Sequence, residues 1–210
     1  MPKIFIAKLL ILFFFNRILF SQDVLIKPLS LNINSVGAEI NFVKINDTLA
    51  YFTKISEENN MLKSQIYRTR FINETWHPPS LSKYNFFIRS TANIFFGSNK
   101  EVILNATDVT TNNYTLIYID DYKDTSFVEI FKDPHNKNLN TQAIIVNHNK
   151  IKALYFVSDR EGGFGGLDIW VSIIDERGNF GVPINAGIQI NTSFDEITPF
   201  YNKYDNKLYF

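Results

Sequence analysis

Two apolar runs joined by a glycine-rich acidic turn constrain this chain most. They read Leu154-Tyr155-Phe156-Val157-Ser158, then Asp159-Arg160-Glu161-Gly162-Gly163-Phe164-Gly165-Gly166, then Leu167-Asp168-Ile169-Trp170. Short aromatic and β-branched segments bounded by such turns are hairpin strands, because the branched and aromatic side chains suit a pleated surface and glycine supplies the turn. The opening triplet returns as Leu208-Tyr209-Phe210, again behind a polar-then-apolar segment. Self-similarity of that kind marks a repeat architecture, in which one supersecondary unit buries its faces against the next.

In the best copy, Thr141 to Ile145 leads through a His-Asn-Lys turn to Leu154-Tyr155-Phe156, the glycine turn, Leu167 to Ile173, Gly178-Asn179-Phe180 and Val182-Pro183-Ile184-Asn185. The next copy runs from Phe194-Asp195-Glu196-Ile197-Thr198-Pro199-Phe200 through a Tyr-Asp-Asn-Lys turn to Leu208-Tyr209-Phe210. An earlier copy lies in Ala38-Glu39-Ile40-Asn41-Phe42, Leu49-Ala50-Tyr51-Phe52, Ser64 to Tyr67 and Trp76. Between them, Ser82 to His135 keeps strand-like content (Phe86 to Ile88, Ile94 to Phe96, Glu101 to Leu104, Tyr114 to Ile119, Phe127 to Phe131) without the glycine turn. No segment carries a convincing helical apolar stripe; Ser56 to Gln65 is the one candidate helix, with a loop as the equal alternative.

The N-terminus reads as a secretory signal peptide over 1–21: Lys3 and Lys8 precede the apolar run Leu9 to Phe15, and Ser21-Gln22 follows. A transmembrane span needs roughly 20 predominantly apolar residues, and Asn16-Arg17 interrupt this one. The membrane is therefore expected to be met only through that segment, with a lead-in segment over 22–37 before the repeats. There is no cysteine, so packing alone must stabilise the chain. The 21 basic and 21 acidic residues balance, and loss of Lys3, Lys8 and Arg17 with the signal leaves three acidic charges in excess. That balance argues against nucleic acid, which rewards clustered Lys and Arg. With 45% apolar residues, including 20 Phe and 10 Tyr, the chain has ample material for a core.

The residues 154 to 170, with Gly178-Asn179-Phe180-Gly181-x-Pro183-x-Asn185 after them and Asn191-Thr192 to Phe200 opening the next copy, resemble the WD-repeat-like, TolB-type β-propeller repeats found in exported Bacteroidetes proteins of the OmpA family. The resemblance is specific over 140–210, weaker over 38–80 and close to absent over 84–135. It implies an all-β fold of propeller blades, each of four antiparallel strands about a central channel. The expected blades are 38–80, 84–135, 140–187 and an incomplete 191–210, together a partial propeller over 38–210; a β-sandwich is the alternative. The unfinished last copy leads to the expectation of a piece of a longer protein.

Within the glycine turn, Asp159, Gly162, Gly163, Gly165, Gly166 and Asp168 are expected to be structural, glycine taking positive φ without cost and aspartate bonding nearby backbone N–H groups. A calcium site fails by register, because Phe164 occupies a required glycine position and the motif occurs once. No metal is expected. No lysine follows the glycines and a strand pattern comes next, which removes P-loop and dinucleotide sites; nucleotide and other cofactors are excluded. His77, His135 and His148 lack ligand spacing and are expected to be solvated. Asp195 and Glu196 open the last copy and are assigned hydrogen bonding at the blade edge. Adjacent carboxylates such as Asp120-Asp121 point to opposite faces of a strand and make no glycosidase dyad alone. The expected function is a non-enzymatic exported scaffold, periplasmic or outer-membrane associated, that binds an envelope protein or peptidoglycan-like glycan. The alternative is a propeller-type glycoside hydrolase or sialidase-like enzyme.

Overall fold

A computed structural model describes residues 28–58, 60–87, 91–96, 101–107, 114–120, 127–131 and 138–210. The signal-peptide expectation, His135 and Asp121 lie outside these residues. The fold is all-β, built of small antiparallel sheets whose strands follow chain order. In the first sheet, β1 (Ala38–Asn46), β2 (Leu49–Glu58) and β3 (Met61–Ile72) form a meander, and β3 then pairs with two short pieces, β4 (Thr75–Trp76) and β5 (Ser80–Leu81). β4 faces Phe71 and Ile72, whereas β5 faces Tyr67 and Arg68. Together they occupy one strand position, broken at Pro78-Pro79 because proline has no N–H to give a ladder. The 58–61 connection is a tight turn with Asn60 at φ 60°. Ser56 to Gln65 is thus a hairpin rather than a helix, its strands being long enough to pair Glu58 with Met61.

After a 3₁₀ turn (Lys83–Phe87), the second sheet runs β6 (Thr91–Phe96), β7 (Glu101–Thr107), β8 (Tyr114–Asp120) and β9 (Phe127–Glu129). The third comprises β10 (Asn140–His148), β11 (Ile151–Ser158), β12 (Asp168–Ile174) and β13 (Ile184–Asn185). β14 (Phe200–Asn202) and β15 (Lys207–Tyr209) make a two-stranded fourth sheet. Leu154-Tyr155-Phe156 lies in β11 and Leu208-Tyr209 in β15, the second strand of its own sheet in each case.

The sheets stack face to face in sequence order, because every strand alternates apolar side chains to both faces and each face needs cover. Tyr51, Ile66 and Tyr84 from the first sheet side pack against Ile94, Val102, Leu104 and Ile119 of the second. From the opposite face of the second sheet, Ile103 and Leu116 meet Ala143, Ile145, Leu154, Phe156, Trp170 and Ile174 of the third. The outer face of the first sheet carries Ala50, Phe52 and Trp76, covered by Leu29 and Ile33 from the segment before β1. First strands touch in succession: β1 meets β6, β6 meets β10 and β10 meets β14. No closed ring of sheets is present among the described residues.

Three of these first-strand segments share a local distortion. Pairing of β1 slips between Ile40 and Val43, and pairing of β10 slips between Thr141 and Ile144. Asn41 at φ 55°, Gln142 at φ 49° and, just before β14, Thr198 at φ 54° occupy equivalent positions of the repeat. A left-handed residue in an extended segment is the mark of a β-bulge, which bends the strand and strengthens its twist. The Gln142 side chain accepts the Thr198 N–H at 2.6 Å, so the bulge of β10 is tied to the left-handed residue before β14.

Candidate functional site

The glycine turn connects β11 to β12 and lies against the segment that opens the fourth sheet. Asp168, the first residue of β12, is 1% exposed. Its carboxylate accepts the N–H of Phe164 at 2.5 Å, the N–H of Gly165 at 3.2 Å and the Asn185 amide at 3.1 Å. Asp159 behaves differently: it reaches out of the turn to accept the Leu139 N–H at 2.7 Å, fixing the approach to β10. Gly162 takes φ 93°, a conformation that glycine adopts without a Cβ clash. A Cβ at Gly163 would strike the Asp168 carboxylate, one at Gly165 the Phe194 and Thr192 carbonyls, and one at Gly166 the Asp195 carboxylate at 2.6 Å.

Asp195 accepts the Leu167 N–H at 2.9 Å. Glu196, buried next to it, accepts the Thr192 N–H at 2.9 Å and the Thr192 hydroxyl at 2.5 Å. Both stand in irregular chain rather than in a strand, so side-chain bonding, not alternation, sets their directions. Asn191 acts as a false strand partner: its amide accepts the Ile169 N–H at 2.9 Å and donates to the Ile169 carbonyl at 2.8 Å. It also donates to Asn185 at 2.9 Å, closing a network with Asp168. Every polar residue singled out from the sequence in this region thus holds chain. No group of three or more His, Asp or Glu placed to hold a metal occurs among the described residues.

Three features carried no legible sequence signal. Arg160 lays its guanidinium over Phe156, Phe131 and Trp170, with Cζ 4.7, 5.2 and 5.3 Å from the ring centroids. It also donates to Asn140 at 2.5 Å and to Ser158 at 3.1 Å. Contact with aromatic faces and bonding through the planar fork together suit arginine and not lysine. His148 is exposed, as expected, and also clasps the fourth sheet: Nδ1 lies 3.0 Å from the Asn206 oxygen and 3.2 Å from the Tyr201 hydroxyl, and Nε2 lies 2.8 Å from the Asn149 amide. The Nδ1–H tautomer satisfies the set, donating to Asn206 while Nε2 accepts from Asn149. His77 is exposed. Tyr155 sits half-buried beside Tyr201, and burial, then that neighbouring phenol, pushes its hydroxyl above the usual range.

The third feature is aromatic. The close approach of Gly165 to the Phe194 carbonyl brings the two loops together, and each loop presents a phenylalanine to solvent, Phe164 at 49% and Phe194 at 77% exposure. Both rings stand on loops held by the bonds of Asp168, Asp195 and Asn191. Among the described residues no helix is long and apolar enough to cross a membrane. No protein family matches the chain, and neither does any curated protein or any solved structure.

Proposed function

We propose that the chain forms blades of a β-propeller of the TolB-like kind, which serve as an exported, non-enzymatic scaffold in the bacterial cell envelope. The observation that carries this reading is the succession of first-strand contacts, β1 to β6 to β10 to β14, between sheets stacked face to face. A blade arrangement about an axis requires that order of contacts, whereas two sheets of a sandwich would share one interface. The partner is a protein or a peptidoglycan-like glycan, engaged by the loop pair carrying Phe164 and Phe194. Flat exposed rings suit the apolar faces of sugars or of a protein surface. The binding reading is favoured over a glycoside hydrolase because Asp168, Asp195 and Glu196 each accept backbone N–H groups.

The purified chain is expected to sediment with peptidoglycan or to retain an envelope protein, and to leave a panel of glycosides unhydrolysed. Phe164→Ala combined with Phe194→Ala is expected to lower that binding at least tenfold with the melting temperature unchanged. Turnover of a glycoside abolished by Asp195→Asn or Glu196→Gln would replace the scaffold reading with the hydrolase.

A further inference from the structure

Unpaired polar groups are not spread evenly between the stacked sheets. Among the described residues, four buried side-chain atoms lack a hydrogen-bond partner: the Thr53 hydroxyl, Glu101 Oε2, Asn105 Oδ1 and Trp170 Nε1. All but Thr53 meet at one joint. Successive residues of a strand face opposite sides, so Glu101 and Asn105 of β7 point the way Ile103 does, toward the third sheet. Val102 and Leu104 point the other way, toward the first. Trp170 enters the same joint from β12, in one cluster with Ile103.

The same two residues of β7 make polar bonds across the joint. The second Glu101 oxygen takes the Lys152 ammonium of β11, together with the Tyr118 hydroxyl of β8 at 3.2 Å. The Asn105 amide donates to the Thr141 hydroxyl of β10. Yet a buried carboxylate or amide oxygen that lacks a donor keeps the cost of losing its water. Separation of the two sheets would return water to all three atoms, which leaves this joint less tightly shut than the one between the first and second sheets, where Ile66, Val102 and Leu104 pack. On either side the sheets are tied through main chain. Asn85, in the 3₁₀ turn that leads to the second sheet, accepts the Ile66 N–H at 2.9 Å and donates to the Ile66 carbonyl at 2.6 Å. Asn191, leading to the fourth sheet, bonds Ile169 of the third in the same way.

We propose that the joint between the second and third sheets is a hinge built into the fold. The stack opens there into two halves, the first and second sheets moving as one and the third and fourth as the other. The unpaired atoms of Glu101, Asn105 and Trp170 favour opening. The Glu101–Lys152 pair directs reclosure, because any other seating of the two sheets leaves a buried charge without its partner. This hinge is independent of the Phe164 and Phe194 loops and stands whether or not those bind a glycan.

The chain has no cysteine, so one introduced thiol reports on one joint. Val102 and Ile103 are neighbours on β7, both buried, and face opposite joints. Val102→Cys and Ile103→Cys are to be labelled with a thiol reagent under native conditions, where reaction requires local opening. The thiol at 103 is expected to react at least about tenfold faster than the thiol at 102. Glu101→Met combined with Lys152→Met replaces the charge pair by apolar groups of similar length, a change that strengthens many buried sites. It is expected to slow labelling at 103 by at least about fivefold more than labelling at 102. Exchange of the Trp170 indole N–H, followed by NMR and assigned with Trp76→Phe, reads the same opening with no thiol introduced. The double methionine variant should slow that exchange, and Asn105→Leu should act in the same direction. Equal labelling at 102 and 103 overturns the hinge. So does a double methionine variant that is unfolded, or one in which Trp170 exchanges as fast as in the wild-type chain or faster.

Discussion

A methyl group at Gly165 would collide with carbonyl oxygens of Thr192 and Phe194, two backbone groups that cannot rotate away. Gly178, at φ 86°, has no atom within 4 Å of such a methyl and stands to lose only its left-handed ease. Gly165→Ala is therefore expected to destabilise by about 2 kcal/mol, as overpacking does, and Gly178→Ala by about 1 kcal/mol. Urea unfolding of the two variants compares them, and a smaller loss at Gly165 would show that the loops do not need their close approach. The type of residue needed here was legible in the sequence, but the reason was not, because Thr192 and Phe194 belong to the next copy. A second residue-scale expectation concerns Asp175. The Asn179 side chain, then its N–H, donates to this carboxylate, with the Arg177 and Gly178 N–H groups adding to the effect, and holds it below the usual carboxylate range. A lowered value means that the turn is stabilised by the charged form: the contribution is intact above the ordinary carboxylate pKa and is lost as pH falls through the lower, folded one. Carbon-detected NMR titration of Asp175 should give a midpoint below 3.8, and Asn179→Ala should move it upward.

Hairpins were the most legible elements, since β11 and β12 announce themselves by alternating apolar runs on either side of a glycine turn. What stayed hidden was whatever depends on a left-handed residue other than glycine. The left-handed residues Asn41 and Gln142, at bulges, and Thr198, just before β14, carry three different side chains, so no residue type flags them. Their cause is shared geometry, a first strand bent to follow its neighbour, and not a shared code. The bonds of the exposed His148 stayed hidden for a related reason: its partners Tyr201 and Asn206 lie 53 and 58 positions away, beyond any local pattern. The hairpin between β10 and β11 offers a test at this scale. Its two turn residues, Asn149 at φ 48° and Lys150 at φ 65°, are both left-handed, the geometry of a type I′ turn. Asparagine tolerates it and lysine resists it, so Lys150→Gly should stabilise by roughly 0.5 kcal/mol, the relief of strain exceeding the extra entropy of glycine in the unfolded chain. Thermal melts decide this, and a lower melting temperature would mean that the turn holds lysine without strain.

At the scale of the molecule, sheets that touch only their neighbours behave as a line of coupled units. Phe156 is fully buried in the cluster between the second and third sheets, beneath the Arg160 guanidinium, whereas Phe52 is buried on the outer face of the first. Truncating either to alanine should cost about 3 to 5 kcal/mol by transfer and cavity terms. The two losses should nevertheless be felt in different places. Phe156→Ala removes packing shared by Ile103, Leu116, Leu154 and Trp170, so amide exchange should accelerate most in β7, β8, β11 and β12. Phe52→Ala should act on β1 to β3 and spare the third sheet, two interfaces distant. Residue-resolved hydrogen exchange of both variants separates this pattern from a single cooperative core: equal acceleration in all sheets under either substitution would mean that the stack unfolds as one unit. A graded response would place the greatest local freedom at the fourth sheet, whose two strands have the His148 clasp and the Gln142 bond to hold them.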